Sequence, residues 1–304
     1  MSLFGTWTMT MNRGPYPQPN RSPYPPYPNL PISVGQPSGS PQAGPTPDPV
    51  FEESLPYAEP TFALAISHCD WLPDRVAVMA RNRPILLRAG THVAYREICE
   101  KAPNWVWSRI MWGWGACQGA THGVYLQDDI DLHPDFWNVV RAMVRAVPNR
   151  VLALLSNHPF APRALAEGHH WLRCGETLGT GYIVPTALMG SFLDARDRRP
   201  GTLRTETEDF QLTRWLVETG RRAWHPIPGI LQTKPEIPTT DARHVYPCRK
   251  GYVPWTDARF EGAPLTSTDY WTPRTLPPDY GATVLGDTRL PRGPFDGEDV
   301  RRHA

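Results

Sequence analysis

"FALAISHCDWLPDRVAVMARN" (residues 62–82) and "HGVYLQDDIDLHPDFWNVVRAMV" (122–144) decide how this chain folds. Each holds a short unbroken apolar run, FALAIS (62–67) and GVYLQ (123–127), as expected of a strand buried on both faces. Each run ends in polar residues: His68 and Asp70 in the first, Asp128, Asp129 and Asp131 in the second. A proline then opens a helical stretch, Pro73 before DRVAVMARN and Pro134 before DFWNVVRAMVRAV, because the first helical turn does not need the missing N–H. Both stretches therefore read as strand, polar loop, helix.

Further strands are predicted over RVLALLS (150–156) and GYIV (181–184), with Pro185 starting another helix. TEDFQLTRWLVETGRRAW (207–224) predicts a helix stopped at Gly220. THVAYREICEKAPNWVWSRIMWGWGACQGA (91–120) reads as additional helix. The alternation predicts an α/β fold, a Rossmann-like and mostly parallel sheet flanked by helices. Ligands of such sheets lie beyond the carboxyl ends of the strands, where His68, Asp70 and the aspartates would stand.

The regular pattern occupies residues 61–235. Before it, residues 1–60 mix Pro with Gly, Ser, Gln and Tyr, a composition that favours polyproline II and predicts a disordered Pro-rich tail or linker. Its Tyr-Pro repeats also suit docking on a partner's aromatic-lined groove. After it, residues 236–304 read as an irregular C-terminal extension packing on the core and ending in a loose tail.

With 31 Lys and Arg against 30 Asp and Glu, the chain as a whole has no polyanion-binding charge, although arginines cluster at 194–204 and 220–222. The former reads as a solvated loop or one that closes over phosphates. Five cysteines without a C-x-x-C pair indicate neither a zinc cage nor a disulfide framework. No window approaches the ~18 apolar residues of a membrane span, and the first residues do not have the layout of a secretory signal. A soluble protein of a cytoplasmic compartment, bacterial or of a phage-infected host cell, is expected. In NWVWSRIMWGWGA (104–116) Trp105, Met111 and Trp112 mark a core stripe, with base or sugar stacking as the other reading of the aromatics.

Three carboxylates within four positions repel one another unless a cation sits among them. In an extended segment Asp129 and Asp131 share one side, which suits a hard divalent ion with positions open for phosphates. An acidic stretch ahead of a helix would use the same residues. "HGVYLQDDIDLHPDFWNVVRAMV" resembles the metal-binding segment of GT-A fold glycosyltransferases, where LEDD or LQDD ends a central strand. FALAISHCDWLPDRVAVMARN is similar to their first strand and helix. ETLGTGYIVPTALMGSFLDA (176–195) and TETEDFQLTRWLVETGRRAWHPIPGILQT (205–233) resemble later segments of the bacterial and phage family-2-like or family-25-like enzymes.

The resemblance spans residues 60–235 and implies a metal-dependent glycosyltransferase, hexosyl or pentosyl, that is inverting. Its donor would be a nucleotide-diphosphate sugar, its acceptor a glycan, a protein or a hydroxymethylated DNA base. By that resemblance Asp129 and Asp131 hold Mn2+ or Mg2+, and His68, Asp70, Asp128, Gly179 and Thr180 border the donor. Glu208 or Asp209 acts as general base, although both also suit the charge of a helix N-terminus. Thr233 stands where related sequences carry a histidine, leaving His225 or His244 as substitutes. A phosphohydrolase or nuclease, or a non-catalytic virion or scaffold protein, is the alternative.

Overall fold

The computed structural model describes residues 59–88, 90–99, 104–155, 158, 160–177, 180–197, 208–233 and 253–281. Most of the tail expected over 1–60, the arginine-rich stretch 198–204, Gly179, His244 and Cys248 lie outside them. In chain order the elements are β1 (Phe62–Ser67), α1 (Pro73–Leu86), β2 (Ala94–Ile98), α2 (Asn104–Ala116), β3 (His122–Gln127), β4 (Ile130–Leu132) and α3 (Phe136–Ala146). There follow β5 (Val151–Ala153), α4 (Ala161–Ala166), β6 (Trp171–Cys174), β7 (Gly181–Pro185), α5 (Thr186–Asp197), α6 (Glu208–Glu218), β8 (Ala223–Pro226), β9 (Leu231–Thr233) and α7 (Thr268–Trp271).

One seven-stranded sheet has the order β2-β1-β3-β7-β5-β8-β6. β1, β2, β3, β5 and β8 run one way and β7 and β6 the other. The fold is thus α/β with a mostly parallel, mixed sheet. The apolar runs become its central strands because no residue of β1 faces water: Phe62 to Ile66 are fully buried. Alternation sends Phe62, Leu64 and Ile66 into a core with α1, α3 and Trp271, while Ala65 meets Met111 and Trp112 of α2, Phe192 of α5 and Trp215 of α6. Helices therefore cover both faces. Trp112, fully buried, lies with its ring 3.8 Å from that of Tyr125, which assigns it to the core as its spacing predicted.

One expectation is corrected. The stretch 91–120 is not helical throughout, since Ala94–Ile98 forms β2, paired in parallel with β1. Ala, Arg and Glu favour helix locally, but the open edge of β1 offers a full ladder of hydrogen bonds, and pairing overrides a weak propensity. The helix read over 74–82 also continues through Pro84 to Leu86. α6 does stop as expected: Gly220 has φ +67° and its N–H donates to the Val217 carbonyl.

Two smaller features shape the carboxyl edge. After β3 the chain bends at Asp128 and Asp129 and pairs β4 with β9, setting Asp131 opposite Gln232 and Ile130 opposite Thr233. Gly181 opens β7, where a Cβ would collide with the side chain of Leu231 and crowd that of Leu126. Close approach, not turn geometry, requires glycine there. The segment 253–281 packs against the core: the indole of Trp171 donates to the Trp271 carbonyl at 2.5 Å, and the Arg173 N–H donates to the Pro278 carbonyl at 2.9 Å.

Candidate active site at the carboxyl edge of the sheet

β1 and β3 are neighbours running in parallel, so the residues following both emerge side by side. Cys69 donates its backbone N–H to Asp128 Oδ2 at 2.6 Å. Asp128 is 2 % exposed and its other oxygen accepts from Arg75 Nη1 at 2.7 Å. The same Nη1 lies 3.1 Å from Asp129 Oδ2. The cation that makes adjacent buried aspartates tolerable is thus Arg75, from the first turn of α1. Asp131 meets a different arginine, Arg81, at 3.5 Å, and its side chain is 41 % exposed.

Asp128 ties the loop after β1 to the acidic segment, and both its oxygens are engaged in doing so. This differs from the donor contact expected of it. His68 is buried, with Nδ1 3.1 Å from Glu97 Oε2 and 3.6 Å from Cys99 Sγ. Asp70 is exposed in the turn after β1. Glu97 is gripped by Arg83 at 2.6 and 2.8 Å, which holds its carboxyl down at about 2. His68, Glu97 and Cys99 form the one group among the described residues that brings three potential ligand atoms within 4.8 Å. Burial pushes the Cys99 thiol up to about 11 and, with Asp128 beside it, the Cys69 thiol to about 12. Neither cysteine is therefore an activated nucleophile.

The second side of the site comes from α6. Gln127, the last residue of β3, gives its side-chain amide to the carboxylate of Glu208, and its backbone N–H donates to the Thr180 carbonyl at 2.8 Å. Thr180 Oγ1 is buried and has no hydrogen-bond partner among the described residues. Burial, then Asp209, raise the pKa of Glu208, with Asp129 adding to the effect and Gln127 opposing it. Asp209 Oδ1 accepts from the Phe210 N–H at 2.9 Å, and its carbonyl accepts from Thr177 Oγ1 at 3.0 Å. Behind them Glu176 is pushed up to about 7 by burial and by Asp209.

Asp128, Asp129, Thr180 and Glu208 thus converge on the end of β3, and Asp209 acts on both Glu208 and Glu176. Thr233 lies beside Ile130 in the small sheet. His225 does not join them: it is buried in β8, its Nε2 2.9 Å from the Glu176 carbonyl, and burial holds it down at about 4. Sequence reasoning did not single out Arg75, Gln127, Glu97 or Glu176. Arg75 was within reach, because it shares the buried stripe of α1 with Val78, Met79, Asn82 and Leu86. A charge in that stripe needs a charged partner.

The acidic segment by itself is not a preformed cage for a divalent ion, since Arg75 stands between Asp128 and Asp129. Asp129 and Asp131 nonetheless offer hard oxygen donors, and Mg2+ is commonly held by one or two carboxylates together with substrate phosphates. Asp129 is buried against Arg75 and Asp131 is half-exposed against Arg81, so the shared side expected of the two in an extended segment is not seen, and among the described residues the aspartates do not gather as a three-ligand group. No protein-family model matches the chain, and no curated protein matches it. Among the described residues no helix is long and apolar enough to cross a membrane.

Proposed function

We propose that the carboxyl edge of the sheet transfers a glycosyl group from a nucleotide-diphosphate sugar to a hydroxyl acceptor, in a GT-A-like arrangement. The observation that carries this reading is the contact between Gln127 and Glu208, residues far apart in the chain, which sets an acid of raised pKa beside the aspartates that follow β3. A carboxylate with pKa drawn toward neutrality is suited to take a proton near pH 7. Asp209 is the poorer candidate, because one of its oxygens already accepts the Phe210 N–H.

In the proposed reaction Glu208 removes the proton of the acceptor hydroxyl. The acceptor oxygen then bonds to the anomeric carbon as the bond from that carbon to the diphosphate oxygen breaks, and the nucleoside diphosphate leaves with the electron pair. One base on the acceptor side implies inversion. A divalent ion held by Asp129, Asp131 and the diphosphate would neutralise charge on the leaving group. Gln127 orients Glu208, and Thr180, whose carbonyl accepts the Gln127 N–H, would border the donor. Asp70, exposed beyond β1, and His68 would border the nucleoside end of the donor. The acceptor class is a glycan, a protein or a hydroxymethylated base.

The test is a thermal-shift screen of nucleotide-sugars with and without Mn2+. A ligand that binds the folded state alone raises its stability by about 2.7 kcal/mol at a hundredfold excess over Kd. One nucleotide class should respond, and Asp129→Asn should abolish the metal-dependent part. Silence from every nucleotide would reject glycosyl transfer.

A further inference from the structure

A divalent ion and a guanidinium cannot both neutralise the same buried carboxylates. Arg75 is 6 % exposed, and a single nitrogen of its head group reaches Asp128 at 2.7 Å and Asp129 at 3.1 Å. Arginine cannot give up its proton to make way, and withdrawing it would strand two adjacent buried negative charges. Asp128 is also committed through the Cys69 N–H, so the lock joins β1, α1 and the end of β3. Asp131 is held differently, by an exposed arginine at 3.5 Å, a pairing that water screens and that opens readily.

We infer that Arg75 is the resident cation of the acidic segment. The acidic segment of the free protein then has no standing affinity for Mn2+ or Mg2+ and takes the ion only together with a diphosphate. The ion would otherwise enter a site whose charge is already balanced, next to a fixed positive group that repels it. A diphosphate changes both terms: it brings negative charge that restores the deficit, and oxygen ligands that the two aspartates, held by different arginines, do not supply by themselves. The second half of the inference rests on the proposed glycosyl transfer, whereas the first half does not.

The experiment uses the full chain and the EPR signal of free Mn2+, which falls as the ion binds. Wild-type protein and Asp129→Asn should deplete the signal equally, and Arg75→Met should deplete it further, with affinity gained by about tenfold or more. Arg75→Lys, which keeps a charge at the same place, should behave as wild type. Wild-type binding of Mn2+ alone that disappears in Asp129→Asn would overturn the inference. So would a folded Arg75→Met protein that binds no more Mn2+ than wild type. Should circular dichroism show Arg75→Met unfolded, thermal shifts of wild type decide instead. Mn2+ with inorganic pyrophosphate should raise the midpoint beyond the sum of either alone, and Asp129→Asn should remove that excess. A purely additive response would reject conditional binding. If nucleotide-sugars fail while pyrophosphate and Mn2+ act together, glycosyl transfer falls and the role of Arg75 stands.

Discussion

Replacing Glu176 by glutamine should stabilise the protein in proportion to pH, because this carboxylate is buried at a cost. Glu176 is 7 % exposed, and burial together with Asp209 raises its pKa from 4.5 to about 7. In the unfolded chain the group ionises at its ordinary value. Between the two values the folded state holds a proton that the unfolded state has released, so folding becomes less favourable as pH rises through that window. Once pH exceeds the folded value the penalty is complete, at about 1.4 kcal/mol per unit of difference, or ~3 kcal/mol in all. Below about pH 4.5 it vanishes, since both states are protonated. Glutamine keeps the shape, cannot ionise, and sets an amide beside the Asp209 carboxylate. Thermal melts of Glu176→Gln and wild type should therefore coincide near pH 4.5 and separate near pH 8 by about 5–10 °C, the shift expected of ~3 kcal/mol in a chain of this size. A difference that stays flat with pH, or has the opposite slope, would refute the placing of Glu176 in a desolvated pocket beside Asp209.

The two kinds of arginine pairing should differ in strength. Asp128→Asn leaves the buried Arg75 guanidinium short of a counter-charge and should cost about 3 kcal/mol. Asp131→Asn loses an exposed pair and should cost under about 1 kcal/mol; chemical denaturation compares them, and equal losses would contradict the burial difference. His158 and His225 are held down to about 3 and about 4, chiefly by burial. Their neutral rings cost nothing above the unfolded value of 6.5. As pH falls from there the unfolded chain takes up protons that the folded one refuses, removing about 2 kcal/mol per ring near pH 5. Imidazole NMR signals should stay neutral down to about pH 4–5; titration of both near 6.5 would contradict their burial. Trp112→Ala, which empties the space between Tyr125 and Phe192, should cost about 3–5 kcal/mol. A loss below 1 kcal/mol would remove Trp112 from the core.

The central strands were legible because β1 and β3 are buried on both sides, so their apolar runs are unbroken. α6 was legible through Gly220, whose positive φ marks its end. β2 was not, because AYREI is a half-exposed edge strand made largely of helix-favouring residues, and only its pairing with β1 decides its state. β4 and β9 are three residues each and exist through each other; no local pattern announces strands that short. The direction of β7 could not be read, since GYIV is as apolar as a parallel strand. At the site, the aspartates stood out as charge where charge is costly, and Glu208 only through the resemblance of its segment. Their cation did not: Arg75 lies far from Asp128 in the chain, and the two are joined by the packing of α1 on the sheet. Glu176 gave no separate signal because burial, the first cause of its raised pKa, is a property of the assembled fold.

The central proposal is that the end of β3 and the start of α6 act together on a nucleotide-diphosphate sugar. It is tested most directly by incubating the full chain with a panel of nucleotide-sugars and Mn2+ and measuring nucleoside diphosphate released, with water as the acceptor. Release from one donor class is expected, with Glu208→Gln abolishing it while leaving donor binding intact, and Asp129→Asn weakening both. Release that persists undiminished in both variants, or no release from any donor, would contradict the account.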